Sequence, residues 1–336
     1  MSTAIDVIAT TVSGSISDWG KVERIRPLFA QHGFDDVELH VVDSHAEARA
    51  RARRILDGGR RLLISAGGSG TFNAVLEGCC DAGVPLGEIR LGFLRKGSAD
   101  LLGKVLGMPD EIEAAVAVFA RAIDAGHVMP CDVLSARSEA DDGAPRHFVG
   151  YGGAEIFGRI PHFTENRFMK WYKGVLSQFF GDLGPFTLGM TLAMLEKIVR
   201  GPFGRRRWRI LLDGREVAVG RYQALILVNG YLGPDMPYSD DALGSGRFHL
   251  FALGDLGLSR LIGQARRARN GSIMQDPDRW GLAHHAVDGE LRLETVGGGS
   301  FPLNVDGSTL RCKAAAIIRR VDGINLIANL ETRGIE

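Results

Sequence analysis

Residues 62–78 read LLISAGGSGTFNAVLEG. Leu62, Leu63, Ile64 and Ala66 make a nearly unbroken apolar run, the pattern of a strand buried on both faces, and such strands belong to parallel sheets. Gly67, Gly68 and Gly70 break the run, and an apolar helical pattern opens near Thr71. Strand, glycine turn and helix is the layout in which bare backbone and the positive end of a helix dipole meet an anion. Taken alone, the glycines suit a plain tight turn equally well.

The chain on either side repeats this alternation. Residues 4–9, AIDVIA, read as a strand ending in TTVSGS. A helical pattern follows from Trp19 to Gln31, with Val22, Ile25, Leu28 and Phe29 on one side. VELHVV is a second strand, and SHAEARARARRILDGG is a helix capped by Ser44 and closed at Gly58. Beyond the glycine turn come the strand IRLGFL and the helix PDEIEAAVAVFARAIDAG. Alternation of this kind predicts an α/β fold with a parallel, doubly wound sheet whose ligand sites lie at the carboxyl ends of its strands. TTVSGS, GGSGT and RKGSAD all fall at such ends.

Near Met129 the pattern changes to short alternating strands, among them RWRILLDG, YQALILVNG, RFHLFAL and ELRLETV, separated by Gly, Asp and Pro turns. Helical stretches around RFMKWYKGVLSQFFG and FTLGMTLAMLEKIV interrupt them. The expected organisation is an α/β domain over residues 1–130, a β-sandwich over 131–312, and a segment 313–336 that closes the sandwich or returns to the first domain.

Forty basic residues balance forty acidic ones in this chain of 336. No global field draws it to nucleic acid, which is excluded as a partner class unless a local patch supplies the charge. The four cysteines form no CxxC pair, which suits a reducing compartment. The N-terminus lacks a basic leader, and no apolar run reaches the length of a spanning helix, so a cytoplasmic protein with at most peripheral membrane contact is expected. The nine histidines suggest no metal constellation; His284 and His285 are adjacent and would point to opposite faces of a strand. No GxSxG elbow is present for serine hydrolysis.

Three segments together resemble the diacylglycerol-kinase catalytic-domain superfamily, which includes bacterial diacylglycerol kinases, sphingosine kinases and ceramide kinases. GGSGTFNAV is similar to the family's GGDGTxNEV. LGFLRKGSADLLGKVLGMP is similar to LGxxPxGTxNDxAxxLGxP, and FPLNVDGSTL to the late VDGE segment. VSG at residues 12–14 is a worn form of a first loop, NPxSG. The resemblance implies a nucleotide-binding α/β domain followed by a β-sandwich, with ATP in the cleft between them and Mg2+ as its companion. It implies phosphate contacts at Ser13, Gly14, Gly67, Gly68, Ser69, Gly70, Thr71, Asn73, Lys96, Gly97 and Ser98. It places Asp306 on the family's catalytic base, the carboxylate that accepts a proton from an attacking hydroxyl. A turn aspartate is the plainer reading of Asp306, because AVDGEL at 286–291 uses the same dipeptide.

The departures matter as much. Of five positions where the family places carboxylates, this chain has Ser69, Ala74, Leu101 and Ser308 at four and Asp306 at the fifth. Asp100 stands where the family has asparagine, so a rebuilt network is expected, with Asp100 toward Mg2+ and Lys96 neutralising phosphate. SGRFHL replaces the family's DDGxLDV, which removes the ligands of a structural magnesium site.

The loop GSAD is closest to the ceramide-kinase form, which implies a lipid kinase acting on ceramide or a related sphingolipid, with diacylglycerol as the alternative acceptor. RFMKWYKGVLSQFFGDLGPF and RGPFGRRRWR mix aromatic and basic residues as interfacial segments do. Phe179, Phe180, Phe203 and Trp208 suit insertion, with Arg205, Arg206 and Arg207 toward lipid phosphates; burial of these aromatics in a core is the competing reading. A homodimer is left open, as is a homologue that binds nucleotide or lipid without catalysis.

Overall fold

The computed structural model describes residues 4–10, 19–95, 101–140, 143–164, 184–200 and 206–332. The chain divides into two compact units, one of Met1–Val133, Ala242–Gly244 and Asp322–Glu336, the other of Leu134–Asp241 and Ser245–Val321.

In the first unit, β1 (Ile5–Thr10), β2 (Val37–Val42), β3 (Leu62–Gly67) and β4 (Arg90–Arg95) form a parallel sheet in the order β2-β1-β3-β4. The last strand of the chain, Ala315–Ile327, adds its final residues beside β4, pairing Asn325 with Arg90 and Leu326 with Leu91. All residues of β1 and β3 are buried, which explains their near-continuous apolar sequences. The helices are α1 (Trp19–Gln31), α2 (His45–Asp57), α3 (Ser69–Asp81), the short α4 (Leu101–Val105) and α5 (Ile112–Asp124). α1 packs with α5, and α2 with α3. Arg49 of α2 ties that second pair through a two-point bond to Asp81 of α3 at 2.5 and 2.8 Å.

The second unit carries β5 (Val128–Ser138, begun in the first unit), β6 (Arg146–Phe148), β7 (Tyr151–Glu155), α6 (Ile156–Thr164) and α7 (Gly184–Arg200). Next come β8 (Trp208–Leu212), β9 (Arg215–Gly220), β10 (Tyr222–Val228), β11 (Phe248–Gly254), α8 (Leu258–Arg269) and β12 (Leu282–Val287). It ends with β13 (Glu290–Thr295), β14 (Phe301–Val305), β15 (Ser308–Cys312) and the first part of β16 (Ala315–Ile327). One antiparallel sheet runs β12-β11-β10-β7-β14-β15; the other runs β16-β13-β8-β9, with β5 joined to β16 and β6. Alternate residues of the two sheets, such as Leu225 and Leu227, Leu250 and Ala252, and Leu291 and Leu293, share a single core. β16 therefore serves both units: its start pairs with β13 and its end with β4.

Trp208 sits in this core with no exposed surface, edge-on to Phe301 at 4.6 Å. Its indole N–H donates to Glu155 at 2.9 Å. Of the two readings of Trp208, insertion and core burial, burial in the core holds, because its ring and its N–H are both satisfied inside the sandwich. Phe179, Phe180, Phe203 and Arg205 lie outside the described residues. No described helix is long and apolar enough to cross a membrane.

Candidate active site

The order β2-β1-β3-β4 puts a topological switch point at β1 and β3, whose chain connections leave in opposite directions; crevices at the carboxyl ends of such strands hold ligands. The glycine turn lies there. Helix α3 begins at Ser69, two residues before the opening expected at Thr71, with Gly68 as its N-cap. Gly68 has no side chain to cap the helix, and the first N–H groups of any helix lack intrahelical acceptors, so these donors face outward. Thr71 and Phe72 both return their N–H to the Gly68 carbonyl, at 3.0 and 3.1 Å.

The three glycines are bare for different reasons. A side chain at Gly67 would strike Thr71, with Oγ1 at 2.5 Å from the added carbon. One at Gly70 would strike the imidazole of His45, with Cε1 at 2.9 Å and Nε2 at 3.1 Å. At Gly68 an added carbon meets none of the described residues within 4 Å, so of the three only this glycine is open among the described residues. Thr71 is fully buried, and its hydroxyl pairs with that of Thr10 at the end of β1, 2.6 Å away. The Thr71 side chain thus braces the switch point, while Ser69 is exposed and Asn73 half-buried on α3. Ser13, Gly14, Lys96, Gly97, Ser98 and Asp100 lie outside the described residues.

His45 is a neighbour of this turn that sequence reasoning missed. The signal available was topological: it follows the N-cap Ser44 at the carboxyl end of β2, the same end of the sheet as the turn, with β1 between β2 and the strand β3 that leads to it.

Asp306 belongs to the second unit. It and Gly307 join β14 to β15 with φ of 43° and 83°, a two-residue hairpin turn of the type that Asp-Gly favours. Its carboxylate accepts the N–H groups of Val149 and Gly150 on one oxygen, at 2.9 and 3.1 Å, and of Tyr151 on the other, at 2.7 Å. Asn304 supports the same turn, accepting from the Gly307 N–H at 2.9 Å and donating to the Phe157 carbonyl at 3.3 Å. Burial pushes the Asp306 carboxyl above the ordinary value of 3.8, and the three N–H bonds oppose the shift without cancelling it. Asp306 is both a hairpin brace and a raised-pKa carboxylate.

Asp6, Glu38 and His40 bring ligand-type atoms together within the first unit. Asp6 already bonds His40 at 2.8 Å on one oxygen and the Arg60 guanidinium on the other. A resident guanidinium supplies the positive charge that a metal would, so the group is an ion-pair network at the amino-terminal end of β1, away from the glycine turn. For Mg2+, Asp100 lies outside the described residues, and Asp306 commits both oxygens to backbone N–H groups. The described donors do not assemble a magnesium site.

Residues 5–136 match the family model for the diacylglycerol kinase catalytic domain. No curated protein shows significant sequence similarity to the chain. Among solved structures, a candidate diacylglycerol kinase from Bacillus anthracis str. Sterne is similar with a TM-score of 0.71 and 20% identity, over 98% of this chain and 97% of that one. A structure of a diacylglycerol kinase from the same organism gives 0.65 and 18%, over 98% of each chain. An NAD kinase from Archaeoglobus fulgidus in complex with ATP gives 0.52 and 12%, over 98% of this chain and 95% of that one. At these identities the likeness establishes the fold: an α/β unit and an antiparallel β unit as found in such kinases.

Proposed function

We propose that this protein is an ATP-dependent lipid kinase that transfers the γ-phosphate to the primary hydroxyl of a membrane lipid, ceramide or a related sphingolipid first and diacylglycerol second. The match of residues 5–136 to the diacylglycerol kinase catalytic domain carries the reading, and the glycine turn at the switch point supports it chemically. The outward N–H groups of Gly68, Ser69 and Gly70, at the positive end of α3, bind phosphate; the open face of Gly68 lets it approach. A solved ATP complex on a similar fold is consistent with a nucleotide in this role. Asp306 accepts the acceptor's hydroxyl proton as the oxygen attacks phosphorus; its raised pKa makes it a stronger base than an exposed carboxylate, and three N–H bonds hold it in one orientation. Lys96 and Asp100 remain the proposed partners for phosphate charge and metal. Mg2+, when bound, would shield the phosphate charge.

The choice of acceptor rests on two observations that point apart. The sequence GSAD favours ceramide, and the family match favours diacylglycerol. A lipid acceptor also requires contact with a bilayer. Helix α7 buries Ala193 and packs Met190 and Met194 against the cluster of Ile156 and Leu261, and it is tied on further by Lys197 bonded to Glu155 at 3.1 Å and Arg159 forked onto Glu196 at 2.8 Å. Its outer side exposes Leu195, Ile198 and Val199, the last by 85%. Exposed Arg207 follows a few residues on, whereas Arg206 donates to the Ser300 carbonyl at 2.9 Å; apolar surface beside an exposed arginine is the character of an interfacial segment.

Purified protein incubated with labelled ATP and, separately, ceramide, sphingoid base, diacylglycerol and NAD tests the proposal. Label in ceramide or diacylglycerol supports it and names the acceptor. Label in NAD alone replaces the lipid reading, and ATP binding without transfer identifies a non-catalytic homologue.

A further inference from the structure

We propose that His45 is a phosphate-binding residue of the glycine turn, donating an imidazole N–H to the same nucleotide phosphate that the amino end of α3 holds. The inference rests on the nucleotide-binding reading above and adds a residue to it.

Three observations place His45 there. It is the first residue of α2, and that turn is braced from both directions: the Glu47 N–H donates to Ser44 Oγ at 3.1 Å, and the Asp43 N–H donates to the Glu47 carboxylate at 3.1 Å. Arg49, one helical turn on, pins α2 to α3 through Asp81. The Cε1–Nε2 edge of the ring then lies directly against Gly70, in the space that any larger residue would fill. The chain has left position 70 bare to admit a polar ring to the first turn of α3. A hydrophobic side chain would fill that space equally well if packing were the only need. His45 is also exposed, so the contact buries little apolar surface.

The chemistry of the spot selects an anion. The amino ends of α2 and α3 converge on it, and both dipoles favour negative charge. An imidazole there donates one N–H to a phosphate oxygen when neutral. The ring and the N–H groups of Ser69 and Gly70 would grip the phosphate from two elements, which fixes its position better than a single helix end does.

The test is isothermal titration of the full chain with ATP, with thermal unfolding measured on each variant. His45→Ala should weaken ATP binding about tenfold, the scale of one hydrogen bond to a charged group, and His45→Gln should recover part of the loss through its amide N–H. Gly70→Ala should weaken binding by displacing the ring. The double variant Gly70→Ala/His45→Ala relieves the collision, so it separates contact from packing. Under the proposal it regains the unfolding temperature but binds ATP no better than His45→Ala. Recovery of wild-type affinity in the double variant, or unchanged affinity in His45→Ala, overturns the proposal while leaving the kinase reading intact. Absence of ATP binding by the wild-type chain overturns both.

Discussion

Asp306 combines two roles that substitution can separate. Asp306→Ala leaves three N–H groups of residues 149–151 without their acceptor, which should cost about 3 kcal/mol in urea unfolding. Asp306→Asn keeps one acceptor oxygen and should cost less, yet it should abolish transfer while ATP affinity holds; retained turnover in that variant would remove Asp306 as the base. The pH dependence follows from the raised pKa. Below it the carboxyl is protonated and cannot accept a proton, so the acid limb of kcat should lie above the ordinary value of 3.8 and disappear with Asp306. For stability the sign is opposite to that of a salt-bridged aspartate: the contribution of this titration is present below 3.8 and is lost as pH rises through the folded value. Cys79 offers an independent check on the core, since burial pushes its thiol up to about 12. A thiol reagent at pH 8 should leave Cys79 unmodified in the native protein and label it after unfolding. Sequence alone did not tell Asp306 from Asp288, since both stand in Val-Asp-Gly. Only the fold turns Asp306 onto residues 149–151, whereas exposed Asp288 pairs with Arg247 at 3.2 Å.

At the scale of elements, the strand-turn-helix around Gly67 was legible because a fully buried strand has an apolar sequence and glycines punctuate it. The division of labour among the glycines was not. Gly67→Ala should lower the unfolding temperature, since its methyl would strike the buried Thr71. Gly68→Ala should cost folding less than Gly67→Ala, because its φ of −87° and its surroundings among the described residues accept alanine and only the N-cap preference for glycine is lost, but should weaken ATP binding by crowding the phosphate. Equal melting shifts in the two variants would show that the turn has no open face. The capping of α2 by Ser44 was readable locally, for it depends on residues three apart. The place of Trp208 was not: aromatic residues beside arginines look alike whether they enter a lipid surface or a core, and the pairing of β8 with β13 decided it.

For the molecule as a whole, the outward apolar side of α7 makes the membrane contact testable. Val199→Asp should leave the unfolding temperature unchanged, given the exposure of that side chain, and should reduce sedimentation with vesicles containing anionic lipid. Undiminished sedimentation would exclude α7 as the contact. The sequence by itself determined the two architectures and the strand ends at which a ligand site belongs, because hydrophobic period and glycine placement act over a few residues. Only the tertiary structure decided that β16 is shared between the units, that Thr71 braces Thr10, and that the His45 ring lies against Gly70. Each of those contacts joins residues far apart in the chain. Their partners are chosen by packing, which no local pattern encodes.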